Sequence, residues 1–226
     1  MAFTVRTIVV LVVIVTNFIF CSQGQSCSGC NTCQGIGFCN PNSFECAADN
    51  EKTLCGATGV FLSCNNQTGY GSGIVMAECG SGEHTDCSNT RTCGDDTSVG
   101  IECDYPELAP PGIYKTTGWI CAEHGDRISC QDHGGSVMLG ACGSGDHDDC
   151  QKYCSGGHGI LCADAVYFNI SWNECTWNPG YHGVWVNCVP GVSLATGLCG
   201  SGGNGDCASN VWTELQCCPV TYNQQK

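Results

Sequence analysis

The sequence predicts an all-β, disulfide-rich fold built from three tandem cysteine-rich repeats of short strands. Two observations support this prediction. A nine-residue motif, C-G-S-G-x-x-x-D-C, occurs three times, and 24 of the 226 residues are cysteine. The copies begin at Cys79, Cys142 and Cys199, so equivalent cysteines are 63 and then 57 residues apart. This interval is typical of one small module per repeat.

The apolar runs of the repeats are short, rich in Val, Ile, Phe and Trp, and bounded by glycine, as in 74–79 and 137–142. That pattern is typical of strands rather than helices. The 32 glycines agree, because glycine inside a helix costs about 1 kcal/mol relative to alanine. We expect three to four strands per repeat, with helical turns only near 163–168 and 210–215.

The repeat register divides the chain into six parts. They are a signal peptide (1–24), a cysteine-rich N-terminal cap (25–54), repeat 1 (55–104), a proline-rich linker (105–117), repeat 2 with its connector (118–174) and repeat 3 (175–226). The repeats form either separate beads or one pseudo-threefold body, such as a β-prism or a trefoil. The compact arrangement is favoured, because a unit of about 50 residues buries little core alone.

The first 24 residues have the features of a secretory signal. Arg6 precedes a short apolar run, and Ser22 and Gly24 fit a cleavage site that would also remove Cys21. No later stretch is apolar enough to span a bilayer, so we expect a secreted, extracellular protein without membrane insertion.

The cysteine content indicates disulfides formed in an oxidising compartment. Zinc is the alternative, but the chain lacks paired C-x-x-C knuckles. Each repeat has six cysteines if Cys217 and Cys218 supply the fifth and sixth of repeat 3, and each set of six allows 15 connectivities. The five cysteines of the cap leave one over. It would pair within a disulfide-linked oligomer or with a repeat, or else the cleavage site differs from the predicted one.

The formal net charge of −14 disfavours nucleic-acid partners and binding to anionic lipid. An extracellular polysaccharide or glycoprotein is the expected partner.

Comparison of the three motif copies separates a structural skeleton from variable positions. The shared residues are Cys79, Asp86, Cys87, Cys142, Asp149, Cys150, Cys199, Asp206 and Cys207. The aspartate is expected to accept loop N–H bonds, and the glycines to adopt positive φ. Asp146, Asp148 and Asp149 of the second copy form a candidate metal site for Ca²⁺, although a regular D-x-D-x-D-G loop is lacking and no cofactor is otherwise expected.

A catalytic constellation is not evident in the sequence. Of the six histidines, only His84 and His147 occupy equivalent repeat positions, and Gly69–Gly73 places its serine one residue too late for a nucleophile elbow. We therefore expect a protein that is not an enzyme.

The aromatic residues provide the best functional lead. Trp172, Trp177 and Tyr181 are expected in a polar loop before repeat 3, where flat rings can stack on sugars. Trp119 and Trp185 lie in strand-like runs and are expected to be core. Asn66 and Asn169 begin glycosylation sequons, which predict surface positions.

These features predict a secreted, disulfide-stabilised structural or interaction protein of an extracellular coat, matrix or secretion that binds carbohydrate. One alternative is a secreted inhibitor or toxin that acts on a protein. A second is a hydrolase, which requires an acid and a base that converge in one cleft.

Overall fold

A computed structural model describes a little more than half of the chain. The described residues are 52–65, 73–80, 87–104, 115–143, 150, 152–154, 157–165, 168–181, 183–189, 191–200, 207 and 211–222. The predicted signal peptide and the cap up to residue 51 lie outside them. So do several of the residues singled out above, namely Asn66, residues 69–72, His84, Asp86, Asp146, His147, Asp148, Asp149 and Asp206.

The described chain is organised as thirteen strands and two short 3₁₀-helices. The strands are β1 (Lys52–Gly56), β2 (Leu62–Ser63), β3 (Ile74–Cys79), β4 (Val99–Asp104), β5 (Lys115–Ala122), β6 (Arg127–Ser129), β7 (Val137–Cys142), β8 (His158–Asp164), β9 (Phe168–Ile170), β10 (Thr176–Gly180), β11 (Trp185–Asn187), β12 (Ser193–Gly200) and β13 (Thr213–Tyr222). The 3₁₀-helices are Cys130–His133 and Trp172–Glu174. Within the described residues, no helix is long and apolar enough to cross a membrane.

The prediction of an all-β, disulfide-rich fold is confirmed, and each repeat contributes four strands to the sheets. The predicted helical turns are wrong. Residues 163–164 end β8, and 213–215 begin β13. Both segments add to ladders that already exist, and this tertiary pairing overrides weak local propensity.

The three sheets share one strand order. In each sheet the first, fourth and third strands of one repeat lie side by side, and a short second strand from another repeat completes the edge. The orders are β1-β4-β3-β11, β5-β8-β7-β2 and β10-β13-β12-β6, with β9 also paired to β13. All pairings are antiparallel.

The exchange of second strands is cyclic. Strand β2 of repeat 1 pairs with β7 of repeat 2 at the first seam. Strand β6 of repeat 2 pairs with β12 of repeat 3 at the second seam, and β11 of repeat 3 pairs with β3 of repeat 1 at the third. Each repeat therefore gives one strand and receives one, so the sheets complete one another.

A β-bulge recurs in the third strand of every repeat. It falls at Met76, Leu139 and Thr196, and all three residues are fully buried. At two seams the bulge carbonyl accepts a hydrogen bond from the arriving chain: Cys188 N–H donates to Met76 at 2.8 Å, and Cys64 N–H donates to Leu139 at 2.8 Å. A bulge leaves its extra residue outside the regular ladder. At these two seams the carbonyl oxygen of the extra residue is the hydrogen-bond acceptor for the exchanged chain.

One hydrophobic core joins the three sheets. Its centre is formed by the third strands β3, β7 and β12, which contribute buried residues such as Ile74, Leu139 and Leu198. Because the strands are buried along their whole length, they read as continuous apolar runs rather than alternating patterns.

All nine disulfides among the described cysteines join residues of the same repeat. They are Cys55–Cys93, Cys64–Cys103, Cys79–Cys87, Cys121–Cys154, Cys130–Cys162, Cys142–Cys150, Cys175–Cys218, Cys188–Cys217 and Cys199–Cys207. The first cysteine of a repeat pairs with the fifth, the second with the sixth and the third with the fourth. In repeat 3 the order of the last two cysteines is reversed. Cys217 pairs with the second cysteine, Cys188, as the sixth does elsewhere, and Cys218 pairs with the first, Cys175, as the fifth does elsewhere.

Candidate functional site

The nine-residue motif is closed by a disulfide between its two cysteines in every repeat. Its first glycine packs against the first residue of the fourth strand of the preceding repeat. A Cβ on Gly80 would lie 2.8 Å from Thr213 Cβ, and one on Gly200 would lie 2.8 Å from His158 Cβ. The motif thus brings two repeats into close contact.

The expected positive φ is not the reason for this first glycine. Positive φ occurs instead at Gly59, Gly125 and Gly183, in the turns that lead into the exchanged strands. At Gly80 and Gly200 a glycine is required because the neighbouring repeat leaves no space for a Cβ, whereas at Gly143 a Cβ would make only an ordinary contact. The sequence-based explanation is therefore wrong at Gly80, Gly143 and Gly200.

Alanine substitution is expected to destabilise the protein at two of the three first glycines of the motif and not at the third. Gly80→Ala and Gly200→Ala should each lower the free energy of unfolding by about 1–3 kcal/mol, because a backbone-fixed Cβ would have to move. Gly143→Ala is the matched control, since its Cβ would meet Val99 Cγ2 at an ordinary 3.5 Å. Urea unfolding under non-reducing conditions measures all three. Equal costs would contradict the close-packing explanation.

Glu78 is a buried carboxyl at the contact between repeats 3 and 1. Burial raises its pKa to about 8, although the hydrogen bond from Thr213 opposes this shift. The Thr213 hydroxyl lies 3.0 Å from Glu78 Oε2 and 3.1 Å from the Cys199 carbonyl oxygen. One hydroxyl proton serves only one acceptor. Both bonds form together when protonated Glu78 donates to Thr213, so the geometry also favours the neutral acid.

His158, the first residue of β8, occupies the position of Thr213 at the contact between repeats 2 and 3 and is 1% exposed. Burial lowers its pKa to about 4, and the nearby charge of His124 lowers it further, while Asp126 acts in the opposite direction. A histidine that is neutral and shut off from solvent is a packing residue rather than an accessible general base.

These two groups predict how stability depends on pH. His158 prefers its neutral form in the fold, so stability is lost as pH falls from 6.5 towards 4. Glu78 prefers its protonated form in the fold, so stability is lost as pH rises from 4.5 towards 8. The two slopes cancel between pH 4.5 and 6.5, and stability should be greatest there.

Glu78→Gln tests the alkaline part of this profile. The amide keeps the size and the hydrogen bond to Thr213 but does not titrate. At pH 9 the variant should be more stable than the parent by a few kcal/mol, since each unit of pKa shift corresponds to about 1.4 kcal/mol. The acid decline should stay unchanged. A variant that loses stability above pH 7 as steeply as the parent would contradict the assignment.

Cys199, Cys207 and Glu214 bring three ligand-type atoms within 4.8 Å of one another. They do not form a metal centre, because the two sulfur atoms are joined in a disulfide. The Glu214 carboxylate is in turn bound by Arg127. The predicted Ca²⁺ ligands Asp146, Asp148 and Asp149 lie outside the described residues.

The residue three places before the second cysteine of each repeat enters the seam at the start of the exchanged strand. At the second seam it is Arg127, which donates to both carboxylate oxygens of Glu214 at 2.8 Å. This hydrogen bonding raises the pKa of Arg127 further above its ordinary value, against the opposing effect of burial. The guanidinium also lies 5.0 Å from the Trp177 ring centroid. The Arg127 guanidinium therefore binds the Glu214 carboxylate and lies over the Trp177 ring at the same time.

At the third seam the equivalent residue is Trp185. Its indole N–H donates to Thr90 Oγ1 at 3.0 Å, and the Arg91 guanidinium lies 4.2 Å from its ring centroid. Arg91 also pairs with Glu102 and with Asn187. The expectation that Trp185 belongs to the core is wrong, since the ring is half-buried in this surface network.

The first seam has a different chemistry. Its equivalent residue is Phe61, whose ring meets Trp119 edge-on at 4.6 Å and Tyr153 edge-on at 4.8 Å. Trp119 and Tyr153 are parallel to within 3°, with centroids 6.3 Å apart. Trp119 is half-buried rather than core, and Tyr153 is 55% exposed. The Lys152 ammonium lies 5.0 Å from the Tyr153 centroid. We call Phe61, Trp119 and Tyr153 the first-seam cluster.

No protein-family model, curated protein or solved structure matches the chain.

The three aromatic residues predicted to bind carbohydrate lie apart along the chain, Trp172 in the connector and Trp177 and Tyr181 at the start of repeat 3. Trp172 is half-buried in a 3₁₀-helix, Trp177 is half-buried in β10 beneath Arg127, and Tyr181 is 58% exposed just after β10. The expected polar loop is thus mostly regular structure. Asn169 is exposed in β9, as its sequon predicts.

Sequence reasoning missed the first-seam cluster. Tyr153 follows Lys152 in a short polar stretch, and this local pattern does not indicate an aromatic surface. Alignment of the repeats on their second cysteine would have shown Phe61, Arg127 and Trp185 at one position. That alignment could have identified the position in the sequence that differs in chemistry among the three seams.

Proposed function

We propose that this chain is a secreted, disulfide-stabilised structural or interaction protein of an extracellular coat, matrix or secretion, and that it binds carbohydrate. The single observation that carries the proposal is the display of aromatic rings on a covalently braced scaffold. Tyr153 and Tyr181 are each more than half exposed, within a frame that nine disulfides hold. Flat amphipathic rings suit the C–H faces of sugars.

Rigidity supports this role. Disulfides restrict the unfolded chain, so a small core remains stable outside the cell. Aromatic side chains on such a frame lose little further freedom when a ligand binds. The exposed Asn169 accommodates a glycan at the surface of β9.

The cyclic strand exchange supports the compact, pseudo-threefold arrangement over separate beads. In a body of β-prism or trefoil type, three similar sheets surround one axis, and here β3, β7 and β12 share one core. Small-angle scattering of the mature protein would distinguish this body from an extended chain of three beads, which would have a larger radius of gyration.

Retention on glycan beads tests the proposed function. The refolded, monomeric protein is applied to chitin, cellulose and mucin beads, with uncoated agarose as control. We expect retention on at least one of the three and release by the matching soluble sugar. Passage through all three at the rate of the agarose control would remove carbohydrate binding from the proposal.

A further inference from the structure

The three seams are equivalent in topology but not in chemistry. At the second and third seams an arginine lies over a tryptophan and pairs with an acid, through Glu214 and Glu102 respectively. The positions in repeat 2 that correspond to these acids are Gly159 and Leu161. The first seam therefore carries an aromatic surface where the second has the ion pair Arg127–Glu214 and the third has Arg91, which pairs with Glu102 and also contacts Trp185 and Asn187 of the exchanged strand.

Disulfides also brace the first-seam cluster. Phe61 precedes β2, Trp119 belongs to β5, and Tyr153 immediately precedes Cys154. Phe61 and Trp119 pack against a small cluster of buried cysteines, Cys142, Cys150 and Cys154, which belong to the disulfides Cys142–Cys150 and Cys121–Cys154. The disulfides Cys142–Cys150 and Cys121–Cys154 thus support the rings of Phe61 and Trp119 from the protein interior.

We infer that the first-seam cluster is a binding site for an uncharged saccharide. This inference rests on the proposed carbohydrate-binding function and assigns it to Phe61, Trp119 and Tyr153. The parallel rings of Trp119 and Tyr153 offer apolar faces to pyranose C–H groups. The Lys152 ammonium beside Tyr153 offers donors to sugar oxygens.

The net charge of the chain and the size of the cluster favour this ligand class. With 7 basic and 21 acidic residues, the chain repels polyanions, so a sulfated or uronic glycan is disfavoured. A stable protein partner would bury about 800 Å² on each side, which is more than three partly buried side chains present. A short stretch of neutral sugar matches the available surface.

Paired tyrosine variants test the assignment. Tyr153→Ala removes a ring from the site, and Tyr181→Ala removes an equally exposed tyrosine elsewhere. Affinities of the full chain for soluble chitotetraose and cellotetraose are measured by titration calorimetry, with thermal unfolding as the check that both variants fold. We expect Tyr153→Ala to weaken binding about tenfold, as loss of one stacking contact does, and Tyr181→Ala, at the competing exposed ring, to weaken it less. Val189→Ala, at a residue that is 58% exposed and belongs to neither set of rings, is the control that should leave binding unchanged.

Tyr153→Phe keeps the ring and should retain affinity within about twofold, which separates stacking from hydrogen bonding by the hydroxyl. If Tyr181→Ala weakens binding and Tyr153→Ala does not, the proposed function stands and the site assignment fails. If the parent binds heparin rather than the neutral oligomers, the ligand class is wrong. If it binds neither these nor any glycan beads, the proposed function fails as well.

Discussion

Arg127→Met is expected to lower the free energy of unfolding by about 3 kcal/mol, because it leaves the Glu214 carboxylate buried without its cation. The side chain of Glu214 is 4% exposed, and that of Arg127 is 47% exposed. Methionine keeps the aliphatic contact with Trp177 but supplies no donors. The loss should be seen in urea unfolding at pH 7.

Two variants serve as controls for this ion pair. Glu214→Gln in the Arg127→Met background should recover most of the loss, since a neutral amide costs less to bury than a carboxylate. Arg127→Lys should recover little, because lysine cannot form the two-pronged contact. An Arg127→Met protein within about 0.5 kcal/mol of the parent would show that the second seam does not depend on this pair.

Removing the bridge between the second and sixth cysteines is expected to destabilise the protein more than opening the motif. In the chain-entropy model, the bridge Cys64–Cys103 spans 39 residues and contributes about 4 kcal/mol. The bridge Cys79–Cys87 spans 8 residues and contributes about 2.5 kcal/mol. All four cysteines are buried, so the loss of packing is similar in the two double-alanine variants.

Calorimetric or urea unfolding of the two double variants provides the comparison. Both are expressed in an oxidising compartment, with free-thiol titration as the check that the remaining bridges form. A larger loss for Cys79→Ala with Cys87→Ala would mean that the motif holds more of the fold than its own loop. That result would contradict loop length as the main source of the difference between the two bridges.

The register of the repeats could be predicted because cysteine spacing is a local signal. The strand exchange could not, because β2, β6 and β11 are short and have the same local pattern whether they pair with their own repeat or with another. Pairing across repeats depends on the buried bulges at Met76, Leu139 and Thr196, which are visible only in three dimensions.

For the candidate site, too, the local sequence was informative and the long-range contacts were not predictable. Aromatic residues could be named from sequence, but their availability depends on neighbours distant in the chain. Trp177 looked like a ligand-binding ring until Arg127, fifty residues earlier, was found over it. Trp119 looked like core until Phe61 and Tyr153 placed it in a surface cluster. Long-range contacts decided both outcomes.

Among the described cysteines, each repeat is closed by its own disulfides, so that strand exchange and not disulfide bonding holds the repeats against one another. Disulfide mapping by mass spectrometry tests it most directly, with partial reduction and stepwise alkylation to separate the adjacent Cys217 and Cys218. The structure predicts Cys188–Cys217 and Cys175–Cys218 in repeat 3, and the matching pairs in the other two repeats. Bridges that run between repeats would contradict the claim.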